Sequence, residues 1–195
     1  LAEPIIAVLY QRGAWTAEDT AATAWVLLFW GVGLVGHCVV EVLARAFYAL
    51  ADTRTPVLVG GAAMLLNIAF SLMFIRFIGA PGEITRTPAA GLALANTVAT
   101  ALESLGLWLM LRRRLGDFAE EERRLAGSAL RVLAASGAMG ALIYGLQVAL
   151  AGRSDYALLA VAIAAGGAAF WAITFALGAE EARAVPNLLL SRLRR

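Results

Sequence analysis

The stretch RAFYALADTRTPVLVG, Arg45 to Gly60, sets an arginine and two aromatics in an apolar run, breaks at the polar "DTRTP", and turns apolar again. A core helix of a soluble domain can do this once. Here the pattern recurs along the chain, with apolar stretches of roughly 20 residues, the length that crosses a ~30 Å hydrocarbon core. Composition agrees: 61% of the 195 residues are hydrophobic and 15% charged, the mean hydropathy is +0.77, and soluble domains average about 25% charged. The sequence predicts an all-α, polytopic membrane protein. It argues against a membrane barrel, whose strands would show alternation over about ten residues.

Upstream of that stretch, LAEPIIAVLYQRGAW starts without methionine and lacks the basic region and cleavage site of a signal peptide. It reads as the end of a hydrophobic segment entering a loop over residues 1–20, so the chain is expected to be a piece of something longer. Five long apolar segments follow, at about Ala21–Leu50, Pro56–Ile78, Ala89–Leu111, Leu125–Ala151 and Tyr156–Leu177. Thr16, with Asp19 three residues on, predicts a capped start for the first. Thr53 or Thr55 is expected to cap the second, with Pro56 in its first turn. The resulting organisation is three spans over 21–112, an arginine- and glutamate-rich loop over 113–124, two further spans over 125–178, and a basic tail over 179–195.

Arginine placement sets an expected orientation. Arg54, Arg112, Arg113, Arg114, Arg123, Arg124, Arg183, Arg192, Arg194 and Arg195 fall on one side, and Arg12, Arg76, Arg86 and Arg153 on the other. The richer side is predicted to be cytoplasmic, together with the C-terminus. With a formal net charge of only +2, these clusters suit anionic lipid rather than a nucleic-acid groove.

Ionisable and polar groups at membrane depth are costly, so each asks for a reason. Glu41 and Arg45 lie four apart on one helix face and can pair; they are either a self-neutralising pair with a snorkelling arginine or the lining of a polar cavity. Asn96, Thr100, Glu103 and Ser104 form one stripe on the third span, and Asn67 and Ser71 share a face of the second. Their oxygens suit a small cation, with Glu103 as charge or proton site, and also suit interhelical hydrogen bonds, the commoner use of such residues. His37, without a second histidine or an acidic neighbour in motif spacing, is expected to be packed or hydrogen-bonded rather than a metal ligand. Small residues at Gly31, Gly33, Gly36, Ser136, Gly137 and Gly140 mark expected close approaches between helices. No HExxH, GxSxG or phosphate-binding glycine loop is present, and no paired carboxylates sit in a polar setting. An enzyme is not expected.

Two ordered passages go further. Arg12, Gly13, Trp15, Thr16 and Asp19 form one pattern; Arg45, Phe47, Tyr48, Ala49, Asp52, Thr53, Arg54, Thr55 and Pro56 form a second, longer one, followed by LLNIAFSLMFI and AAGLALANTVAT. From about Pro4 to Thr100 the chain resembles the C-terminal part of the MurJ/MviN lipid II flippases, of the multidrug/oligosaccharidyl-lipid/polysaccharide exporter superfamily. The resemblance implies a fragment of a fourteen-helix inner-membrane transporter that moves a lipid-linked peptidoglycan precursor by alternating access, with its substrate-gripping arginines in the missing N-terminal half. It implies no cofactor, and coupling to membrane potential, protons or sodium. Some members bind sodium through polar residues on the helices equivalent to the second and third spans; Asn67 fits that pattern, whereas Ser71 stands where an acidic residue is frequent. The last two spans resemble those that form a groove for the lipid tail. The Asp52–Pro56 motif is expected to shape a cytoplasmic turn, with Phe47 and Tyr48 at the interface. Alternatives are another polysaccharide-lipid or drug exporter of the superfamily, or a non-transporting membrane scaffold.

Overall fold

A computed structural model describes residues 1–78, 87–116, 119–150 and 154–177. The 79–86 connection with Arg86, Arg153, and the 179–195 tail with its four arginines lie outside the described residues. Six helices run in order: α1 (Ala2–Tyr10), α2 (Ala17–Ala49), α3 (Arg54–Phe74), α4 (Ala89–Leu115), α5 (Ala119–Ala149) and α6 (Asp155–Ala176), with no strand among the described residues. All except α1 contain a stretch long and apolar enough to cross a membrane. Leucines and valines such as Val32 and Val35 on α2 and Leu58 and Leu65 on α3 stay open on faces turned away from α4, as expected where hydrocarbon is the solvent.

The helices outrun the apolar segments that announce them. Arg112, Arg113 and Arg114 form the last turn of α4, where cations complement the helix dipole. α5 begins at Ala119. The region expected as a 113–124 loop is therefore helical on both sides of a short connection, because charged residues outside the apolar core cost a helix nothing.

The chain divides into two compact units, Ala2–Asp117 and Phe118–Arg195. In the first, Thr16 opens α2 with a full capping box: its hydroxyl accepts from the Asp19 amide and the Asp19 carboxylate accepts from the Thr16 amide. Trp15 lies against Tyr10, with ring centroids 5.7 Å apart and planes tilted by 30°, and donates its indole N–H to the Thr20 hydroxyl. Further along, a Cβ on Gly33 would meet Thr97 Oγ1 at 2.6 Å, and one on Gly36 would meet the Thr100 methyl at 3.2 Å. Leu43 and Phe47 then bury themselves with Leu107, flanked by Val40, Val59 and Leu111. These contacts advance together along both helices, so α2 and α4 run parallel. Between α3 and α4 the contacts advance in opposite senses, from Gly60 at Glu103 through Asn67 at Asn96 to Phe74 at Gly91. That pair is antiparallel. At its far end a Cβ on Gly91 would fall 2.8 Å from the Phe74 carbonyl and 2.9 Å from the Ile75 nitrogen.

Gly33 and Gly36 thus make the close approaches expected of them, whereas nothing lies within 4 Å of Gly31. Phe47 departs from expectation: it is fully buried, while Tyr48 is exposed. Phe47 lies four residues beyond Leu43, on the face that meets α4, so packing decides its place over its aromatic character.

In the second unit α5 and α6 pack through Gly166, which lies beneath Ile143 and Met139, with Ala135, Leu158 and Ala162 buried. Gly137 and Gly140, expected at a close approach, have nothing within 4 Å. A run of small residues permits close packing without deciding which neighbour uses it.

Candidate functional site

The polar residues of the first unit converge on one layer across α2, α4 and α3. The Ser71 hydroxyl donates to Asn67 Oδ1 at 3.1 Å, and Asn67 Nδ2 donates to Asn96 Oδ1 at 3.3 Å. Asn96 Nδ2 lies 3.0 Å from His37 Nε2. The i, i+4 spacing of Asn67 and Ser71 puts both on the face of α3 that meets α4, and Asn96 reaches both neighbours because α4 packs against each. The His37 ring stacks on Trp30, with centroids 6.0 Å apart and planes at 12°. A side-chain chain of hydrogen bonds therefore joins three helices. In a low-dielectric setting such a chain is worth more satisfied than broken.

The other members of the α4 stripe have separate roles. Thr100 is buried with its methyl over Gly36, in the α2–α4 seam rather than in the chain. Glu103, seven residues and about 10 Å beyond Asn96, extends over Gly60 of α3, where a Cβ would sit 3.2 Å from its carboxylate oxygen. It interacts electrostatically with His37. Ser104 donates to Ala101 O on its own helix at 2.9 Å. Glu41 and Arg45 pair at 2.7 Å, with both side chains largely exposed.

The motif around Asp52 is a lock at one end of the bundle. α2 stops through paired bonds, Asp52 N–H to Phe47 O and Ala51 N–H to Tyr48 O, each 3.0 Å. Ala51 takes the left-handed conformation, φ 56°, that such a stop demands. The expected threonine cap on α3 is absent: Thr53 makes no side-chain capping bond. Asp52 does that work, with Oδ1 accepting from the Arg54 and Thr55 amides at 3.0 Å and Oδ2 from the Thr55 hydroxyl at 2.6 Å. A carboxylate is the better acceptor and carries charge to the positive end of the helix. Arg114 completes the lock from α4, 2.6 Å from Asp52 Oδ2 and with its guanidinium over the Phe47 ring at 5.8 Å. The Thr55 hydroxyl and amide, with Arg114 assisting, hold the Asp52 carboxyl below the usual carboxylate range. This contact also places the α2–α3 turn and the end of α4 on the same side, as the arginine pattern predicts.

The structure bears out a hydrogen-bonded His37 and supplies the partner that the sequence did not name, and it adds Arg114, which sequence reasoning missed. His37 lacks a motif on its own helix and joins the layer only through the α2–α4 register. Arg114 is one of three consecutive arginines, and spacing alone does not single it out.

An all-helical set of segments of membrane-crossing length, joined by a polar layer, is the architecture of a multi-pass membrane protein. The family model described as "Lipid II flippase MurJ" matches residues 1–162, and the chain belongs to that family. A probable lipid II flippase MurJ of Haemophilus influenzae is 31% identical over 144 residues, 74% of this chain and 26% of that protein. The one from Rhizobium meliloti is 26% identical over 178 residues, 91% of this chain and 33% of that protein. The lipid II flippase MurJ of Burkholderia cenocepacia is 34% identical over 113 residues, 58% of this chain and 20% of that protein. The chain thus spans between a fifth and a third of the length of these relatives.

Proposed function

We infer that this chain is part of a lipid II flippase of the bacterial inner membrane, which carries an undecaprenyl-pyrophosphate-linked peptidoglycan precursor outward by alternating access. The match over residues 1–162 carries this reading. α2, α3 and α4 belong to a bundle that rocks against a partner bundle supplied by the rest of the transporter. Their polar layer, with Asn67, Ser71, Asn96 and Glu103, lines the cavity between the two. Glu41 and Arg45, exposed here, complete that lining toward the end closed by Asp52 and Arg114. That end is cytoplasmic, as is the C-terminus, in keeping with the arginine bias. α5 and α6 offer an apolar surface for the long lipid tail. No bond is broken in this process.

The test is reconstitution of the intact transporter in liposomes with labelled lipid II. Wild type should translocate the lipid, and Glu103→Gln should slow translocation several-fold at unchanged membrane abundance. Normal translocation per molecule with reduced abundance would assign Glu103 to helix packing. No translocation by wild type would remove the flippase reading.

A further inference from the structure

The hydrogen-bond chain has a direction. Asn67 Oδ1 accepts from Ser71, Asn96 Oδ1 accepts from Asn67, and Asn96 presents its Nδ2, a pure donor, to His37. A donor facing Nε2 at 3.0 Å requires that nitrogen to accept, which a neutral imidazole does only when its proton is on Nδ1. Each amide oxygen then accepts one hydrogen bond from within the protein.

Adding a proton changes the fit at one atom. Protonated His37 carries N–H at Nε2, and two donors then oppose each other at the present 3.0 Å separation. Rotating the Asn96 amide by half a turn removes the conflict by offering Oδ1 to the imidazolium. Asn96 Nδ2 then faces Asn67, whose amide must turn in the same way, and the Ser71 hydroxyl changes from donor to acceptor. Amide oxygen and nitrogen are nearly equal in size, so this reversal needs no new space. The proton comes from a hydronium ion: one Nε2–H bond forms, one O–H bond breaks to leave water, and no other covalent bond changes.

We propose that His37 is a proton-binding site whose charge state sets the direction of the His37–Asn96–Asn67–Ser71 chain, so that one protonation on α2 is registered on α4 and α3. His37 is exposed on its span, with its ring stacked on Trp30. The charged groups around it are few. α4 contributes Glu103, which interacts with it electrostatically. α2 contributes Glu41 one turn on, already paired with Arg45, and the thiol of Cys38. α3 has Arg54 as its one charged residue, at the far end from Asn67. α1 carries Glu3 and Tyr10 and meets α2 around Trp15 and Thr20, some 25 Å along the helix from His37. Among these groups Glu103 is the one carboxylate without a described ion pair.

The chain contains a single histidine, so its imidazole signals are unambiguous. The experiment is solid-state NMR of the 195-residue chain in lipid bilayers, labelled with 15N at histidine and asparagine, across the range of about pH 4 to 9 in which histidine titrates. Neutral His37 should show a protonated Nδ1 and a bare Nε2. The side-chain amide of Asn67, assigned by its loss in Asn67→Gln, should shift with the same midpoint as His37. In Asn96→Leu, His37 should still titrate while the Asn67 shift is lost. A neutral form protonated at Nε2, a wild-type Asn67 signal that stays flat while His37 titrates, or an Asn67 shift that survives Asn96→Leu would each overturn the proposal. Should Asn96→Leu not fold, the matched midpoints in wild type decide alone. None of these readouts depends on lipid transport, so they stand or fall separately from the flippase reading.

Discussion

The α2–α4 bundle and the α5–α6 pair are both strongly apolar, yet they hold their helices in different ways. In the bundle, Thr97 on α4 donates to Phe29 O on α2 at 2.8 Å, Asn96 joins Asn67 to His37, and Gly91 lies against the backbone of α3. Each contact fixes a register. In the pair, the described approach is Gly166 beneath the flexible ends of Ile143 and Met139, and Thr174 donates to Phe170 O on its own helix. Apolar composition is enough to place a helix in a bilayer. Small and polar residues at particular heights select its neighbour.

The sharpest way to break this comparison is Gly91→Ala. The atoms it would strike belong to the backbone of α3 rather than to a side chain that can swing aside. Overpacking of this kind costs typically 1–3 kcal/mol, and the upper end, about 3 kcal/mol, is expected here. Reversible unfolding in detergent would measure it, and a loss under ~1 kcal/mol would mean that the end of α3 yields easily.

A smaller loss of stability is expected for Asp52→Asn, which removes the charge facing Arg114 and weakens the cap on α3. The acid response fixes the sign. The Asp52 carboxyl is held below its ordinary range by Thr55 and Arg114, so its contribution is complete above the unfolded carboxylate value. It is lost as pH falls through the depressed folded value. Thermal unfolding of wild type should therefore fall more steeply than that of Asp52→Asn as the solution is acidified below the ordinary carboxylate range. Parallel acid curves would show that Asp52 is not held in this way.

The smallest effect belongs to the other region. Gly137→Ala meets nothing within 4 Å and gains helix propensity, so stability should stay level or rise by up to ~1 kcal/mol. A clear loss in the same unfolding assay would show that this face of α5 is covered.

Legibility in the sequence followed the range of the interaction. The spans, the Thr16–Asp19 box, the Glu41–Arg45 pair and the shared face of Asn67 and Ser71 all depend on residues within four positions, and spacing displays them. The threonine cap expected for α3 failed over an equally short distance, because Asp52 outcompetes a hydroxyl for the same amides. His37, Arg114, Gly91 and the burial of Phe47 depend on which helix lies alongside and at what height. The families of small and polar residues were visible, and the register that selects among them was not. For the same reason the Ser136–Gly140 run promised an approach that Gly166 makes instead.

The turn at Asp52 also bears on how the chain is assembled during synthesis. Every bond that stops α2 and starts α3 joins residues no more than five apart, from Phe47 O to the Asp52 amide and from Asp52 to Arg54 and Thr55. This hairpin has all its own fastenings as soon as Thr55 has been added. Arg114 comes only with the last turn of α4, so until then the Asp52 charge waits at the membrane surface without that partner. Arrival of Arg114 neutralises it and covers the Phe47 ring in the same step. The order of synthesis thus makes the bonds of the turn available before Arg114, the last residue to reach it.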